Sequence, residues 1–338
     1  MTGYDFSFPA ELVAREPASP RWSARLLIHD RKTRRTEWDV FRNIGKYLPP
    51  RSVLVLNETK VLPARLVLRK ATGGRVRALY LATEGKDIRV MADRPVREGE
   101  SLVLAAKLSF RVGKRDGKYL LLRPSFPVRR LSAVLAAHGT TPIPPYIKNP
   151  PLSEARLRRE YQTVFARRAG SVAAPTAALH FTPALLHSLR RAGHAVRFLT
   201  LHVNLGTFAP LTGEALRTGK LHREFYEIPA GTAAYLNRAR AAGRPIVAVG
   251  TTVVRALESA ADAKGRLRRL SGGTDIFIRP PYRFRFADRL ITNFHVPDSS
   301  LLMLVSAFAS RRTVLGLYRQ AVKKRFRLFS FGDAMFLR

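Results

Sequence analysis

Histidine and amide side chains recur in this sequence where predicted strands end. His202 and His295 lie in the predicted strands Leu199–Leu205 and Leu290–His295, and alternation places each histidine on a polar face. Asn204 lies beside the first histidine and Asn293 beside the second. An imidazole gains and loses protons near neutral pH, so two on converging strands could exchange protons with a substrate. His180 is a third candidate, and a purely structural role stays open for all three.

Two predicted helix starts offer free backbone N–H groups to an anion. One follows a run of small residues, with Thr182 as the N-cap and Pro183 in the first turn. The other is Gly250-Thr251-Thr252, directly after the predicted strand Ile246–Val249. Unpaired N–H groups and the helix dipole favour a carboxylate or phosphate at such a position. A simple structural cap is the alternative interpretation at both places.

The composition excludes several kinds of chemistry. The chain of 338 residues contains no cysteine, which removes disulfides, thiolate metal sites and cysteine nucleophiles. Dinucleotide, phosphate-loop and nucleophile-elbow motifs are absent, and no histidine pair has the spacing of a helical metal site, so we expect no metal. No apolar run is long enough to span a bilayer, and no secretory signal is visible. We therefore expect a soluble, cytoplasmic protein without a membrane partner.

A large excess of basic residues points to a polyanionic partner. Lys and Arg number 60 against 24 Asp and Glu, for a net charge of +36. The excess is spread evenly, because residues 1–150 hold 29 basic and 13 acidic side chains and residues 151–338 hold 31 and 11. Such a field attracts nucleic acid in a salt-dependent way. A general bias toward arginine, with 47 Arg and 13 Lys, is the alternative explanation.

The order of predicted elements indicates two kinds of structure in one chain. From Arg65 to about Pro145, short β-type runs alternate with tight turns such as Thr72-Gly73-Gly74, which predicts a small antiparallel barrel. After Pro151, strands alternate with helices. We therefore predict an α/β (α+β) main domain interrupted by a small antiparallel β-barrel.

Seven strings, in order from about Tyr4 to the C-terminus, resemble the S-adenosylmethionine:tRNA ribosyltransferase-isomerase family of queuosine biosynthesis. They are Leu54-Val-Leu-Asn-Glu-Thr-Lys-Val-Leu-Pro-Ala-Arg-Leu66, Tyr161-Gln-Thr-Val-Phe, Gly170-Ser-Val-Ala-Ala-Pro-Thr-Ala-Ala-Leu-His-Phe-Thr182, Leu201-His-Val-Asn-Leu-Gly-Thr-Phe208, Val249-Gly-Thr-Thr-Val-Val-Arg-Ala-Leu-Glu258, Ile291-Thr-Asn-Phe-His-Val-Pro297 and Phe329-Ser-Phe-Gly-Asp-Ala-Met335.

The resemblance implies a reaction and a domain organisation. The ribosyl part of S-adenosylmethionine would be transferred to 7-aminomethyl-7-deazaguanine in the anticodon stem-loop of tRNA, giving epoxyqueuosine and releasing adenine and methionine. No cofactor would be needed beyond S-adenosylmethionine as co-substrate, and we expect a monomer. The catalytic domain would comprise residues 1–67 and 149–338, with the barrel at 68–148.

The matching motif positions supply the candidate site residues. We assign His202 and His295 as acid and base, with His180 and Asp333 as further catalytic candidates, and Thr251-Thr252 as the site for the methionine carboxylate. The complete set of expected substrate-binding residues is Asn57, Arg65, Tyr161, Thr163, Thr182, Thr207, Thr251, Thr252, Arg255, Asn293 and Ser330.

The chain departs from the usual family pattern at Glu58, Arg77, Ala178, Asn204 and Pro281. Arg77 replaces an acidic residue in the barrel, and Asn204 adds a polar side chain to the expected ligand face. Two alternatives therefore stay open beside the transferase: a non-catalytic tRNA-binding protein, and a divergent paralogue acting on another nucleobase acceptor.

Overall fold

The structure, a computed structural model, describes residues 3–117, 119–204 and 211–338. Within these ranges the chain forms a nine-stranded mixed sheet, a closed barrel of six antiparallel strands and a two-stranded parallel sheet. Helices connect and cover the strands of the large sheet. The predicted fold class, an α/β domain with a small barrel, is therefore confirmed.

The strands of the described part are β1 (Arg25–His29), β2 (Thr36–Val40), β3 (Val53–Asn57), β4 (Thr59–Val61), β5 (Arg65–Lys70), β6 (Arg75–Glu84), β7 (Asp87–Ala92), β8 (Ser101–Ala105), β9 (Leu108–Asp116), β10 (Tyr119–Pro124), β11 (Arg168–Ser171), β12 (Ala195–Leu201), β13 (Lys220–Glu227), β14 (Ile246–Val249), β15 (Ser271–Ile276), β16 (Arg289–Asn293) and β17 (Ala334–Leu337). The α-helices are α1 (Leu131–His138), α2 (Glu154–Glu160), α3 (Pro183–Arg191), α4 (Gly213–Thr218), α5 (Ala230–Ala241), α6 (Thr251–Ala260), α7 (Ser300–Ala309) and α8 (Arg311–Lys323).

Four parallel strands form the centre of the large sheet. The strand order is β15-β13-β12-β3-β14-β16-β17-β1-β2, and β12, β3, β14 and β16 run parallel to their neighbours within this group. Their carboxyl ends therefore meet at one edge, which is where ligands bind in open α/β sheets.

The central strands are apolar on both faces because each face packs against its own core. In β3, Val53 and Val55 belong to one hydrophobic cluster, while Leu54 and Leu56 belong to the other. Alternation along a strand sends successive side chains to opposite faces, so a nearly continuous apolar run is what a strand buried on both sides requires.

The barrel is attached to the main sheet through two chain ends that lie side by side. Its strands close in the order β10-β7-β6-β5-β8-β9 around a core of aliphatic side chains and Phe110. Arg65 and Thr140 exchange both backbone hydrogen bonds, at 3.1 and 2.8 Å. The described strands place the start of the barrel at Arg65, while the proposed domain boundaries at 68 and 148 stay a prediction.

Two predicted strand ends are wrong. The strand expected at Leu199–Leu205 begins earlier and ends at Leu201, and the strand expected at Leu290–His295 ends at Asn293. The parallel neighbour of β12 ends at Asn57, paired with Leu199, and beyond that point the Asn57 side chain bonds the Leu201 backbone in place of a next strand residue. His202 and His295 therefore follow strands instead of lying within them.

Within the described residues, no single helix combines the length and apolar character needed to cross a membrane. Helices α7 and α8 meet those criteria only as a pair, with a bend of 109° between them.

Candidate active site

A cavity opens at the carboxyl edge of the central strands. About 590 Å³ of space within and above it, including space open to solvent, is free of protein atoms. Five predicted site residues line it: Thr251, Thr252, Asn293, His295 and Ser330. The structure therefore brings together residues from β16, the start of α6 and the segment before β17.

Helix α6 begins at the cavity, and its first N–H groups have no acceptor in the part of the chain that the structure describes. Gly250 is the N-cap, with φ of +94°, a conformation that glycine adopts without a steric penalty. No side chain caps the helix, and among the described residues we find no acceptor for the backbone N–H groups of Thr251 and Thr252. Free N–H groups and the positive end of the helix dipole together favour an anion at this position.

Asn57 is buried and fixes the edge from which the cavity is built. Its Nδ2 donates to the Leu201 carbonyl at 2.9 Å and to Thr252 Oγ1 at 3.3 Å. Its Oδ1 accepts from the backbone N–H groups of Leu201 and Thr59, at 3.0 and 3.1 Å. The amide thus joins β12, β4 and α6, and these four bonds use its hydrogen-bonding capacity within the protein. Its predicted contact with substrate stays a prediction.

His180 and Asn293 form a second buried pair. Asn293 Nδ2 donates to the carbonyls of Phe329 and Ser330, at 2.9 and 3.1 Å, which directs Oδ1 toward His180 Nε2 at 2.9 Å. His180 Nε2 must therefore carry the hydrogen. Burial lowers the pKa of His180 to about 4, so the ring is neutral at ordinary pH. This pair positions the Ser330 segment at the cavity.

His295 lies at the cavity wall as a neutral imidazole. Its Nε2 is 2.8 Å from Thr292 Oγ1, and its backbone N–H donates to the Tyr318 hydroxyl at 2.9 Å. Desolvation lowers the pKa of His295 to about 3. His295 is half-buried, because one side of the residue faces the cavity. A neutral ring that faces the cavity is available to accept a proton.

Two hydroxyl groups form another part of the cavity wall. The Tyr146 hydroxyl is 2.6 Å from Ser330 Oγ, and burial raises the pKa of Tyr146 to about 12, so it keeps its proton. Burial also raises the pKa of the fully buried Tyr161, whose neighbours include Tyr146 and Arg65. Arg65 donates to the Ile143 carbonyl at 3.0 Å, and desolvation lowers its pKa. Arg65 and Tyr161 are not among the residues that line the cavity in the described part, and their predicted contact with substrate stays a prediction.

Thr163 is buried, and its hydroxyl has no hydrogen-bond partner among the described residues. Nothing in the structure assigns it a ligand. Thr207 lies outside the described residues.

His202 lies outside the set of residues that line the cavity in the described part. Its Nδ1 is 2.8 Å from Thr59 Oγ1, and its ring faces that of Phe225. Desolvation lowers its pKa, opposed by the charge of Glu227. The next residue, Val203, does line the cavity, so His202 is at its margin. His202 and His295 belong to chain segments separated by two intervening strands, β3 and β14.

Thr182 and Asp333 make structural hydrogen bonds. Thr182 Oγ1 accepts from Leu185 N at 3.2 Å as the N-cap of α3, the structural alternative considered from the sequence. Asp333 is buried, and its carboxylate accepts from the backbone N–H groups of Arg25 and Arg327, at 3.0 and 2.8 Å. Neither residue is among the lining residues of the described cavity. Their predicted roles in binding and catalysis stay predictions.

Arg255 forms a buried ion pair with Glu224. The other oxygen of Glu224 accepts from Asn204 N at 2.9 Å, so the pair fixes the backbone that follows His202. Within the described part, Nε and Nη2 of Arg255 have no acceptor. Removing one partner of such a pair leaves a buried charge uncompensated.

The other lining residues, which were not predicted from the sequence, include Tyr146, Thr292 and Phe329. Phe329 has φ of +69°, which is uncommon for a bulky residue and is a form of backbone strain found at functional sites. Its ring contacts Tyr146 with centroids 5.3 Å apart. Tyr146 follows two prolines, and this stiff segment was the available sequence signal.

Among the described residues, no group of three or more His, Asp and Glu side chains is placed to hold a metal ion.

Comparison with known proteins gives matches over the whole chain. Residues 1–337 match the family model described as queuosine biosynthesis protein. The S-adenosylmethionine:tRNA ribosyltransferase-isomerase of Thermotoga maritima is 45% identical, covering 99% of this chain and 98% of that protein. That of Moorella thermoacetica is 44% identical with the same coverage. A solved S-adenosylmethionine tRNA ribosyltransferase from Thermotoga maritima has a TM-score of 0.57 at 35% identity, covering 99% of this chain and 100% of the other.

Replacing Asn57 by alanine is expected to destabilise the fold strongly. The substitution leaves the Leu201 N–H and C=O and the Thr59 N–H without their partners, each at a cost of about 1–3 kcal/mol. We expect N57A to lower the free energy of unfolding by at least about 3 kcal/mol in urea denaturation. The control N43A removes one bond to Asp39 and should cost about 1 kcal/mol. Equal effects of the two substitutions would contradict this role for Asn57.

His180 is expected to make the fold less stable as pH falls. Its folded-state pKa of about 4 lies below the ordinary value of 6.5, so the unfolded chain binds the proton first and stability declines between these pH values. H180Q keeps a donor for Asn293 but does not titrate. Between pH 6 and 5, the unfolding free energy of H180Q should therefore fall less steeply than that of wild type. The two slopes should differ by up to about 1.4 kcal/mol per pH unit. H187Q, on the exposed side of α3, serves as the control and should keep the wild-type slope; an unchanged slope in H180Q would contradict the assignment.

Proposed function

Because the chain belongs to the queuosine biosynthesis protein family, we propose that it transfers and isomerises the ribosyl moiety of S-adenosylmethionine onto 7-aminomethyl-7-deazaguanine in tRNA. The products are epoxyqueuosine-tRNA, adenine and methionine. The family resemblance predicted from the seven sequence strings is confirmed, and with it the assignment of the chain to the transferase enzymes.

The observation that carries the proposal is the pairing of His295 with the free start of α6 in one cavity. The imidazole of His295 can accept a proton, and the start of α6 can bind a negative charge. S-adenosylmethionine matches both groups, because its sulfonium acidifies the adjacent C5′ hydrogens and its methionine end carries a carboxylate.

The methionine carboxylate binds at the N-terminus of α6. The N–H groups of Thr251 and Thr252 lack protein acceptors among the described residues, and both side-chain hydroxyls belong to cavity-lining residues. Asn57 holds the Thr252 hydroxyl at 3.3 Å, so the site is fixed before the ligand arrives. An anion that meets preorganised donors loses less free energy to reorganisation of the protein.

His295 acts as the base that removes a C5′ proton. The low pKa keeps the ring neutral, the form that accepts a proton. A pKa of about 3 also makes the ring a weak base when the cavity is empty. Proton removal converts the sulfonium cation to a ylide without net charge, so one unit of positive charge passes with the proton from the substrate to the imidazole. The C5′ carbanion of the ylide is stabilised by the adjacent positive sulfur.

Adenine departs with the electron pair of its bond to C1′, and departure is easier when its ring nitrogen receives a proton or a strong hydrogen bond. Tyr146 keeps its proton up to high pH and lies with Ser330 at the cavity wall. We assign this hydroxyl pair to support the leaving base, with His202 at the margin as the second proton-transfer candidate. Such acid–base roles each contribute about 10²- to 10⁴-fold in rate.

The tRNA is held by the basic surface while its anticodon loop presents the acceptor base. The net charge of +36 supplies attraction to phosphate groups along the whole chain. Binding should therefore weaken as salt concentration rises.

The decisive measurement is adenine release. Purified protein is mixed with S-adenosylmethionine and tRNA bearing 7-aminomethyl-7-deazaguanine, and free adenine is quantified by chromatography. We expect adenine and methionine in equal amounts with this tRNA and none with tRNA bearing guanine. Tight tRNA binding without adenine would favour a non-catalytic protein, whereas release with the guanine tRNA would favour a different acceptor.

His295 to alanine is expected to reduce turnover at least about 100-fold, because the proton acceptor is lost. H187A, exposed on α3, is the matched control and should retain wild-type turnover. H202A tests the second candidate under the same conditions. Full activity in both H295A and H202A would show that the assigned acid–base roles are wrong, even if the overall reaction is confirmed.

A further inference from the structure

Phe225 is an aromatic side chain that the fold leaves exposed without an evident structural reason. It lies on β13 and is 48% exposed, and no other Phe, Tyr or Trp of the described residues is classed as exposed. The remaining large exposed apolar residues of the described part are three valines. An exposed aromatic ring on a rigid strand therefore needs an explanation other than packing.

The ring of Phe225 lies beside that of His202. The two centroids are 6.3 Å apart and the planes differ by 23°. The backbone also joins the two residues, because His202 N, just after the end of β12, donates to the Phe225 carbonyl at 2.9 Å. His202 is further fixed by Thr59 Oγ1. Two nearly parallel rings are thus held at the margin of the cavity by backbone and side-chain bonds.

Glycines beneath these groups keep the surface flat. A Cβ at Gly170 would lie 2.8 Å from His202 ring atoms, so the imidazole lies directly on bare backbone. Gly273 of β15 is the residue paired with Phe225 of β13, and a Cβ on Gly273 would lie 1.8 Å from Arg223 Nε. Arg223 and Phe225 are two residues apart on β13 and share a face. The imidazole and phenyl rings therefore lie side by side, and the Arg223 side chain lies over Gly273, the residue paired with Phe225.

The charge around this surface is positive on its outer sides. Arg223 is exposed, and the side chains of Arg167 and Arg168 are 65% and 58% exposed next to β4; both pair with the buried Glu58, so the two arginines together carry one uncompensated positive charge. Glu227 is the acidic group that acts on His202. Planar side chains flanked by arginines are how proteins hold unpaired nucleotides, with bases on the rings and phosphates on the cations. A protein partner would instead favour a broader apolar patch, which the three scattered valines do not provide.

We propose that Phe225, together with His202 and Arg223, forms a stacking platform for an unpaired nucleobase of the tRNA, outside the cavity. This inference rests on the proposed function, since it assigns a second contact to the same RNA. Val203 links the platform directly to the cavity wall. A nucleotide stacked on Phe225 would therefore hold the loop open while the acceptor base occupies the cavity. Phe225 is thus a positioning residue and takes no part in bond breaking.

The test separates stacking from simple apolar contact. F225A should raise KM for tRNA by about 10- to 100-fold, the range for loss of one stacked base, with the Kd for S-adenosylmethionine unchanged. F225W should keep the tRNA KM at the wild-type value. F225L, which has bulk but no flat face, should raise the tRNA KM as much as F225A does. The matched control V67A removes an exposed apolar side chain from barrel strand β5 and should behave as wild type. F225L activity equal to wild type would overturn stacking.

A second measurement covers any variant that folds poorly. Thermal melting and S-adenosylmethionine binding establish that each variant is folded, and the fluorescence of the new tryptophan in F225W is compared with wild type as tRNA is added. Stacking should quench the added signal, and absence of quenching at saturating tRNA would overturn the platform. If wild type itself releases no adenine, the proposed function fails. If wild type is active and F225A keeps its tRNA KM, only the platform fails.

Discussion

The hydrogen bonds of two buried side-chain amides hold the candidate site together. Backbone groups at the carboxyl edge of the sheet lose their ladder partners where β3 and β16 end, yet they remain buried and need partners. Asn57 satisfies Leu201 and Thr59 on one side, and Asn293 satisfies Phe329 and Ser330 on the other. Each amide thus converts a strand end into a fixed wall of the cavity.

Burial of the histidines follows from the same constraint. His180 occupies the Oδ1 side of Asn293, and desolvation keeps it neutral, so it positions the amide without placing a charge beneath the cavity. His295 is desolvated as well but faces the open space. Removal from water thus keeps both rings neutral: His180 positions an amide, and His295 takes the role of proton acceptor in the proposed mechanism.

The sequence predicted the fold class and much of the cavity, because these depend on local patterns. Turn residues between short apolar runs predicted the barrel, and the strand followed by Gly250-Thr251-Thr252 predicted the helix start that the structure shows. The predicted ends of the strands that carry His202 and His295 were wrong. Where a strand ends depends on contacts between residues far apart in the chain, such as the hydrogen bond from Asn57 to Leu201. The strained backbone of Phe329 had no sequence signal, because its conformation is imposed by packing and by Asn293.

The two backbone hydrogen bonds between Arg65 and Thr140 hold the beginning and the end of the barrel segment side by side. An inserted unit whose two ends are neighbours returns the polypeptide to nearly the point from which it departed. The main sheet therefore keeps the connectivity it would have if a tight turn occupied this place. Loops of the barrel can lengthen or shorten, and its strands can change charge, as at Arg77 in β6, without altering the spacing of the carboxyl edge of the main sheet, so the two parts of the fold are free to diverge at different rates.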